Sequence, residues 1–573
     1  NNAEVHFAGE RALYLENSAP MLANVTIANS NLFPISVGGN VFPDFSNGVD
    51  LRDNPFKAVE IRQGTLYTGN VIWPKGNFVY VISGLVRVGA DTTLEIQPGV
   101  VVKVWPGEYR TSGLWVRGLL KAEGVQFTSA YDGDEVVGGV TYLESRDPVA
   151  GDWDGITFHE SSDNCSLRDV TVRYAGQGRG AILMKESSPE LVNVTVTDSA
   201  WYPLSLDADS FPTLETLTLA DNVAGDAVAI RDGSVVTGRE ARTWEPLGSQ
   251  TADQIVRVIL GTVMLAPEAS LTLGPGVVIK FAEEGQLILK GTLNAVGGGS
   301  ETNRIVLTSL HDDDYGGDTD GPADSRQTRQ WGGVVFEQAG DASVMQNAIV
   351  RYGTVRVDGG APRLINNRIL DGAGPGIAQM PDAQPELLNN LLEGNSISGV
   401  AILSGTMTTD QNWARLGDVD DQVARVLLGE VVVAADTTLR VGAGAVIKAG
   451  VAGKLTISGT LQAPGMAHML IVFTSLQDDA EGGDTDNKVR APEPGDWLGL
   501  EMGAAAKVEV SNLRVLYAET GLAMYGGNVP VVEEGRFQIA NGNHALWCDT
   551  AVELPGGLLI EENQVNENRC PTR

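Results

Sequence analysis

One stretch of sequence occurs three times in this chain, at intervals of roughly 170 residues. Its copies occupy Gly76–Lys103, Asp253–Lys280 and Asp421–Lys448, and the first two read GNFVYVISGLVRVGADTTLEIQPGVVVK and DQIVRVILGTVMLAPEASLTLGPGVVIK. A tryptophan precedes each copy, and these residues are Trp73, Trp244 and Trp413. Such a repeat constrains the fold strongly, because repeated units that cannot bury their apolar faces alone do so by stacking on one another.

The elements that follow each copy keep one order. First comes an alternating strand such as Leu114–Ala122, whose period of two indicates one buried and one solvated face. The later elements are a Phe/Leu-Thr-Ser strand, an acidic glycine-rich loop, a second tryptophan and a tyrosine, and the aromatic residues are Trp153, Trp331, Trp497, Tyr174, Tyr352 and Tyr517. We therefore divide the chain into residues 1–70, the C-terminal part of a preceding unit, and three units at 71–241, 242–410 and 411–573, the last ending in a cap.

A shorter period lies inside each unit. The pattern x-Pro-x-Leu-x-Asn pairs a proline with an asparagine four residues later, as in Pro20/Asn24, Pro189/Asn193, Pro362/Asn366 and Pro385/Asn389. Successive prolines such as Pro362 and Pro385 are 23 residues apart, the length of one coil of a three-sided parallel β-helix. We expect an all-β, right-handed parallel β-helix of about 24 coils stacked about 4.8 Å apart, with an asparagine ladder at one corner.

Composition and charge narrow the classes of function. The chain has 69 glycines and 6% aromatic residues, which suits short strands joined by tight turns. A net charge of −33 disfavours nucleic acid as a partner, and no stretch is long and apolar enough to predict a membrane span. Of the three cysteines, Cys548 and Cys570 lie near the C-terminus and predict a disulfide, whereas Cys165 reads as a small buried apolar residue.

These motifs resemble those of the right-handed parallel β-helix repeat proteins of bacterial surfaces, which share a pectate-lyase-like superfamily fold. The resemblance rests on L-x-I/L-x-P-G-V-V-x-K at Leu94–Lys103 and Leu271–Lys280, on LILKGTLNA at Leu287–Ala295, and on DDxxGGDTD followed by W-x-G. It covers essentially the whole chain, although the third copy has Ala443 in place of the proline. It implies the fold and leaves the function open, because that superfamily includes lyases, epimerases, adhesins and spacers.

The strongest chemical signal is the acidic loop at His311–Ser325, repeated at Gln477–Asn487. Clustered carboxylates with two intervening glycines supply the hard oxygen ligands that Ca²⁺ prefers, and they would repel one another without a cation. The predicted calcium ligands are Asp312, Asp313, Asp314, Asp318, Asp320, Asp478, Asp479, Asp484 and Asp486. The alternative is a solvated acidic loop. The first unit keeps Asp132 and Asp134 but has Val140–Tyr142 in place of DTD, which predicts a degraded site.

The sequence favours a non-enzyme. The pairs Arg173–Tyr174 and Arg351–Tyr352 are the best candidates for lyase chemistry, but their equivalence across units suggests a structural column. Five histidines at non-equivalent positions, including His159 and His311, are expected to be ordinary surface residues, and the repeated tryptophans are expected to pack at corners rather than stack on sugars.

We therefore expect a non-catalytic extracellular or cell-surface stalk, structural or adhesive and filament-forming, stabilised by calcium. Its expected partners are other copies of itself or a matrix or cell-surface polysaccharide. The alternative is a β-helix enzyme that binds or processes polysaccharide. A single groove where Arg, Lys and aromatic residues converge would favour the alternative, whereas three equivalent surfaces would favour the stalk. Because residues 12–30 match a late part of the first unit, we also expect upstream coils or a cap before Asn1.

Overall fold

The chain folds into one all-β parallel solenoid of about 22 turns, which confirms the predicted fold class. A computed structural model describes residues 2–40, 42–67, 69–106, 111–134, 136, 138, 146–238, 241–248, 254–321, 330–337, 342–417, 423–533, 535–564 and 570. Among them the one helical element is a short 3₁₀ turn at Glu301–Asn303. No helix in this part of the chain has the length and apolar character needed to cross a membrane.

The strands are short and follow the units closely. Up to Trp73 they are β1 Ala3–His6, β2 Leu13–Leu15, β3 Met21–Ala28, β4 Ile35–Val37, β5 Asp44–Asp50, β6 Ala58–Ile61, β7 Gly64–Leu66 and β8 Asn70–Trp73. From there to Trp244 they are β9 Val79–Ile82, β10 Leu85–Val88, β11 Thr93–Ile96, β12 Val101–Val104, β13 Gly113–Val116, β14 Leu119–Glu123, β15 Gln126–Ser129, β16 Gly155–Phe158, β17 Ser166–Arg173, β18 Ile182–Met184, β19 Glu190–Thr197, β20 Leu204–Leu206, β21 Thr213–Ala220, β22 Val228–Ile230, β23 Ser234–Val236 and β24 Ala241–Trp244.

The remaining strands belong to the second and third units. Up to Trp413 they are β25 Arg257–Ile259, β26 Thr262–Leu265, β27 Ser270–Leu273, β28 Val278–Phe281, β29 Gln286–Leu289, β30 Thr292–Val296, β31 Ile305–Ser309, β32 Gly333–Phe336, β33 Val344–Gln346, β34 Ala348–Arg351, β35 Val355–Val357, β36 Arg363–Ile365, β37 Arg368–Leu370, β38 Pro375–Gln379, β39 Glu386–Leu388, β40 Leu391–Glu393, β41 Ile397–Ile402, β42 Gly405–Met407 and β43 Gln411–Trp413. The last are β44 Arg425–Leu427, β45 Glu430–Val433, β46 Thr438–Val441, β47 Val446–Ala449, β48 Lys454–Ile457, β49 Thr460–Pro464, β50 Ile471–Ser475, β51 Trp497–Met502, β52 Lys507–Ser511, β53 Leu513–Leu516, β54 Ala518–Met524, β55 Val531–Val532, β56 Phe537–Ala540, β57 His544–Cys548 and β58 Leu558–Glu561.

Strands pair in parallel with their counterparts one coil away. From β25 to β38 each strand bonds to the strand three places further on, as in β25–β28–β31 and β26–β29–β32. Two long sheets of 13 strands result, sheet II from β7 to β40 and sheet III from β23 to β58, and a 12-stranded sheet I contains β9, β12 and β15.

Equivalent strands of the three units lie in different sheets. The strand that ends the 28-residue repeat is β12 in sheet I, β28 in sheet II and β47 in sheet III. The repeat unit is therefore not a whole number of three-sided coils, and the unit and the coil fall out of step. One sheet therefore contains one set of repeat positions in unit 1 and a different set of repeat positions in unit 2.

The interior is one continuous apolar core. The predicted inward residues of the alternating strands are buried, with Leu114, Val116 and Leu120 at 0% exposure. The six repeated tryptophans are at most 6% exposed, so they pack in the core and are not open sugar platforms. The Cys548–Cys570 disulfide is present with Cα atoms 4.6 Å apart, and Cys165 is a buried free thiol, as predicted.

The predicted asparagines form only part of the bonds between coils. Asn24, Asn193, Asn366 and Asn389 all adopt positive φ between 52° and 53°, where they turn the backbone. Two of them also bond to the neighbouring coil, since the Asn24 side chain donates to Asn2 Oδ1 at 3.0 Å and that of Asn193 donates to Asp169 Oδ1 at 2.6 Å. The buried ladder uses different asparagines, and Asn367 shows its chemistry. The Asn367 side chain donates to Met345 O at 2.8 Å and accepts from Ala348 N at 2.9 Å, joining successive coils. The residues that act in this way are Asn54, Asn222, Asn367, Asn390, Asn395 and Asn563.

We predict that Gly291→Ala destabilises the solenoid by about 1–3 kcal/mol. A Cβ at Gly291 would lie 2.3 Å from the carbonyl oxygens of both Ala266 and Ala269, which belong to the preceding coil. Gly299→Ala is the control, because a Cβ there meets no atom within 4 Å. Urea unfolding should show a lower midpoint for Gly291→Ala only, and equal midpoints would contradict the close approach of the coils.

Candidate functional site

The two complete acidic loops fold back over the outer face of the solenoid. We name them the unit 2 clasp, residues 310–321 after β31, and the unit 3 clasp, residues 476–487 after β50. Each covers a lysine that closes the 28-residue repeat, because the Lys280 ammonium donates to Gly317 O and that of Lys448 donates to Gly483 O. The clasps are therefore packed onto the sheet along part of their length.

Each clasp reaches back across three earlier coils. Thr319 is 2% exposed and its carbonyl would lie 2.2 Å from a Cβ placed on Gly225, just before β22. In the unit 3 clasp, Thr485 O accepts from Ser398 N at 2.7 Å, at the start of β41. Sheet order places β22, β25, β28 and β31 side by side, and likewise β41, β44, β47 and β50. Each clasp thus spans four strands, about 14 Å at the usual strand spacing.

The docking points belong to the preceding unit. Gly225 lies in residues 71–241, while the clasp that covers it belongs to 242–410. Ser398 lies in 242–410, while its clasp belongs to 411–573, and Asn487 adds a hydrogen bond to Asn395 O in the same corner. A small apolar cluster containing Tyr202, Val256, Val258 and Leu310 fills the space beneath the unit 2 clasp. The clasps therefore join consecutive units from outside the core.

Three of the predicted metal ligands are bound by side chains of the protein and lie outside the two carboxylate triads. Asp312 accepts from Thr308 Oγ1 at 2.5 Å and from Arg351 Nη1 at 3.0 Å. Asp478 accepts from Thr474 Oγ1 at 2.5 Å in the same way. Asp314 forms an ion pair with Arg351 at 2.8 Å. These three carboxylates are occupied by the protein's own donors.

The other six predicted ligands converge as two triads. The carboxylates of Asp313, Asp318 and Asp320 place ligand oxygens within 4.8 Å of one another, and those of Asp479, Asp484 and Asp486 do the same. Each triad brackets the buried docking threonine of its clasp. Three carboxylate oxygens at this separation, on a turn that opens to solvent, fit part of the coordination sphere of Ca²⁺, with water or carbonyl oxygens completing it.

Burial and mutual repulsion act on these carboxyl groups together. The pKa of Asp479 is raised most by burial, and the negative charges of Asp484 and Asp486 raise it further. Burial and Asp318 raise the pKa of Asp320, although a hydrogen bond from its neighbour His311 opposes the shift. A cation among the triad would relieve the repulsion and hold the carboxylates ionised.

The buried lysines already supply one positive charge beneath each clasp. Lys103, Lys280 and Lys448 are all 0% exposed and pair in register with Thr128, Thr308 and Thr474 on the next strand. Burial lowers the pKa of Lys280 and Lys448 against the attraction of the surrounding aspartates. Sequence reasoning missed these lysines, although their invariant place at the end of PGVVxK-type strands was visible.

Unit 1 has the same foundation without a described triad. The Lys103 ammonium donates to Asp132 O at 2.6 Å, Thr128 Oγ1 donates to Asp132 Oδ2 at 2.6 Å, and Arg173 lies 3.4 Å from that carboxylate. Asp134 caps the following turn through a hydrogen bond from Val136 N at 2.9 Å. Val140–Tyr142, the segment that replaces DTD, lies outside the described residues.

The equivalent tyrosines of the three units, two of which belong to the Arg-Tyr pairs, mark a structural corner. Tyr174, Tyr352 and Tyr517 adopt φ of 60°, 62° and 59°, so they turn the backbone at equivalent places.

Searches of protein-family models, curated proteins and solved structures find no match to this chain. We therefore compare equivalent residues of the three units to distinguish those that maintain the fold from those that could serve a function.

We predict that Gly225→Ala releases the unit 2 clasp. Its Cβ would collide with Thr319, whereas Gly238→Ala introduces a side chain at a similarly positive φ with no atom within 4 Å. Both variants carry backbone strain, but only Gly225→Ala should accelerate proteolytic cleavage between residues 310 and 321. Equal cleavage rates in the two variants would show that the clasp does not depend on this contact.

We also predict a pH signature for the buried lysine of unit 1. Burial lowers the pKa of Lys103 from 10.5 to about 8, opposed by Asp132 and Asp134. The unfolded chain then binds more protons than the native one between these values, so this residue's contribution to stability increases as pH rises through that window.

The comparison is with Lys103→Met. The free energy of unfolding of the wild type minus that of Lys103→Met should increase from pH 8 to 10.5, as measured by urea titration. Lys121→Met removes an exposed lysine nearby and serves as the control. A difference that stays flat or falls over this window would contradict the lowered pKa of the buried Lys103.

Proposed function

We propose that this chain is a non-catalytic structural stalk whose units are locked to one another by calcium-binding clasps. The observation that carries the proposal is the position of the two carboxylate triads. Each lies on a loop that crosses four strands and docks on the preceding unit, at Gly225 or at Ser398. A cation bound there would strengthen a junction between units, which is the requirement of a long element that bears load.

Charge balance supports Ca²⁺ as the cation. Beneath each clasp one buried lysine is attracted both by the triad and by the aspartate that bonds to a threonine, which is Asp312 in unit 2 and Asp478 in unit 3. In unit 2, Lys280 and Arg351 accompany the five aspartates of the clasp, whereas within the described residues of unit 1 Lys103 and Arg173 accompany Asp132 and Asp134. Units 2 and 3 therefore have excess negative charge at the same place, which a divalent cation with oxygen ligands would neutralise.

The proposed location is extracellular or at a cell surface. The Cys548–Cys570 disulfide is compatible with an oxidising compartment, and millimolar calcium is available outside cells. The proposed partners are other copies of the chain or a matrix polysaccharide, since a solenoid presents long regular surfaces for multivalent contact.

We predict that Ca²⁺ raises the thermal unfolding midpoint of the wild-type protein relative to EGTA. Saturation a hundredfold above Kd would stabilise each site by about 2.7 kcal/mol. The double variant Asp318→Asn/Asp484→Asn removes one ligand charge from each triad and should abolish the response. In EGTA this variant should unfold at a higher temperature than the wild type, because repulsion within each triad is relieved.

The control variant is Asp134→Asn, which changes a carboxylate of the unit 1 loop and should leave the calcium response intact. Differential scanning calorimetry with Ca²⁺, Mg²⁺ and EGTA measures all three proteins. An identical midpoint of the wild type in Ca²⁺ and EGTA would overturn the proposed calcium sites.

A further inference from the structure

The outer face of sheet II in unit 1 carries two adjacent rows of side chains. In the first row Arg87 and Trp115 are register partners, and Thr157 and Leu183 follow on the next strands. In the second row Arg117, His159 and Lys185 stand one residue beyond the strand ends, where His159 N donates to Val116 O and Lys185 N to Phe158 O, both at 2.9 Å. Neighbours within a row are about 4.8 Å apart.

Three cations in this face form no close ion pair, although Arg179 lowers the pKa of nearby Asp154 and Asp207 follows Lys185 in the second row. Arg117, Arg179 and Lys185 form no ion pair with any residue that the structure describes, whereas Arg231, further along the row, pairs with Asp207 at 2.8 Å. Burial lowers the pKa of His159, and Lys185 and Arg117 lower it further while Glu160 opposes them. These groups are therefore close enough to repel one another, in a chain whose net charge is −33.

The same rows in the other units do not accumulate cations. At the positions of Arg117 and His159, unit 2 has Lys290 and Glu337, which form an ion pair at 3.4 Å. Unit 2 also has Arg356 beside Asp358 at 2.6 Å, where unit 1 has Leu183 and Lys185. In unit 3 the corresponding row is Ser458, Gly503 and Tyr525. The strand positions recur in all three units, but this group of cations occurs in unit 1. The fold therefore does not need these cations.

Aromatic side chains border these cations. Trp115 packs edge-to-face on His159 with ring centroids 5.4 Å apart, and the Arg87 guanidinium lies 5.3 Å from its centroid. Trp201 and Tyr67 are 36% and 68% exposed near the two ends of the rows. Two depressions lie along this face, of about 370 Å³ at Arg87 and Trp115 and about 490 Å³ at Lys185 and Trp201.

We propose that this face, the unit 1 groove, binds an acidic polysaccharide. The planar aromatic rings can stack on the apolar faces of sugar rings, and Arg117, Arg179 and Lys185 can pair with carboxylate groups. The strand spacing of about 4.8 Å is close to the length of one pyranose residue in an extended chain, so successive sugars meet successive coils. A ligand of this kind supplies carboxylates to three cations that form no ion pair with a residue that the structure describes.

A polyanion of moderate charge density fits better than a nucleic acid. The surrounding protein is strongly acidic, and long-range repulsion grows with the charge of the polymer. A uronate chain also offers an uncharged sugar face and a carboxylate on each residue, which suits a face where Trp115 lies between Arg87 and the row of Arg117 and Lys185. The proposal concerns binding alone and does not depend on calcium at the clasps.

The test is isothermal titration of the full chain with polygalacturonate, in EGTA so that calcium does not bridge polymer chains. Wild-type protein should bind polygalacturonate and should not bind neutral dextran. Arg117→Ala/Lys185→Ala should weaken the affinity at least about tenfold, because each substitution removes a charge-assisted hydrogen bond. Lys290→Ala is the matched control, since it changes the equivalent row position in unit 2, and its affinity should equal that of the wild type.

Arg179→Ala provides a second variant at an exposed position, in case the double variant alters folding, which circular dichroism will show. It should also weaken binding without changing the unfolding midpoint. The proposal is overturned if the wild type does not bind polygalacturonate, if both groove variants bind like the wild type, or if dextran binds equally well. Tighter binding of oligothymidylate than of polygalacturonate would also overturn it, in favour of a nucleic-acid surface.

Discussion

The register of backbone hydrogen bonds between coils is the constraint on which the rest of this structure depends. Each coil donates and accepts hydrogen bonds above and below, so every side chain stands about 4.8 Å from its counterpart in the next coil. Inside the solenoid this alignment produces columns of Val, Leu and Ile. Outside, it makes a row of like charges unfavourable unless a spacer or a counter-charge intervenes.

The described outer surface of units 2 and 3 shows how that repulsion is managed. In the row Lys280–Thr308–Arg351 a threonine separates the two cations, and Asp312 accepts hydrogen bonds from both Thr308 and Arg351. Lys290 and Glu337 alternate in sign in another row. Against this background the triads and the unit 1 groove stand out, because both concentrate one sign of charge. The two features meet within sheet II, where Leu260 borders the groove and also packs beneath the unit 2 clasp.

Much of the fold could be predicted from the sequence because period-two strands and 23-residue spacing report directly on stacked coils. The Cys548–Cys570 disulfide and the burial of the repeated tryptophans were also predicted correctly. The asparagine ladder was predicted in part, since Asn24 and Asn193 bond between coils. Asn367 was missed, because Asn366 and Asn367 are adjacent and only backbone conformation decides which one turns the chain and which bonds to the next coil.

The candidate sites were harder to predict for a different reason. Sequence shows that Asp312, Asp313 and Asp318 are close along the chain, but not that Thr308 and Arg351 engage the first of them. Nor does it show that the loops reach three coils back, which depends on the corner space at Gly225 and Gly399. His159 and His311 looked ordinary because neither is repeated. The groove became visible only when register placed Arg117, His159 and Lys185 side by side.

Hydrogen–deuterium exchange of the wild-type chain, compared in Ca²⁺ and in EGTA, tests most directly whether the clasps couple the units. Calcium should slow amide exchange in the clasps and in the docking segments at β22 and β41, which belong to the preceding units. Strands β6 and β9, remote from both triads along the chain, should exchange at the same rate in both conditions. Slower exchange confined to residues 310–321 and 476–487, or no change anywhere, would contradict coupling across the unit junctions.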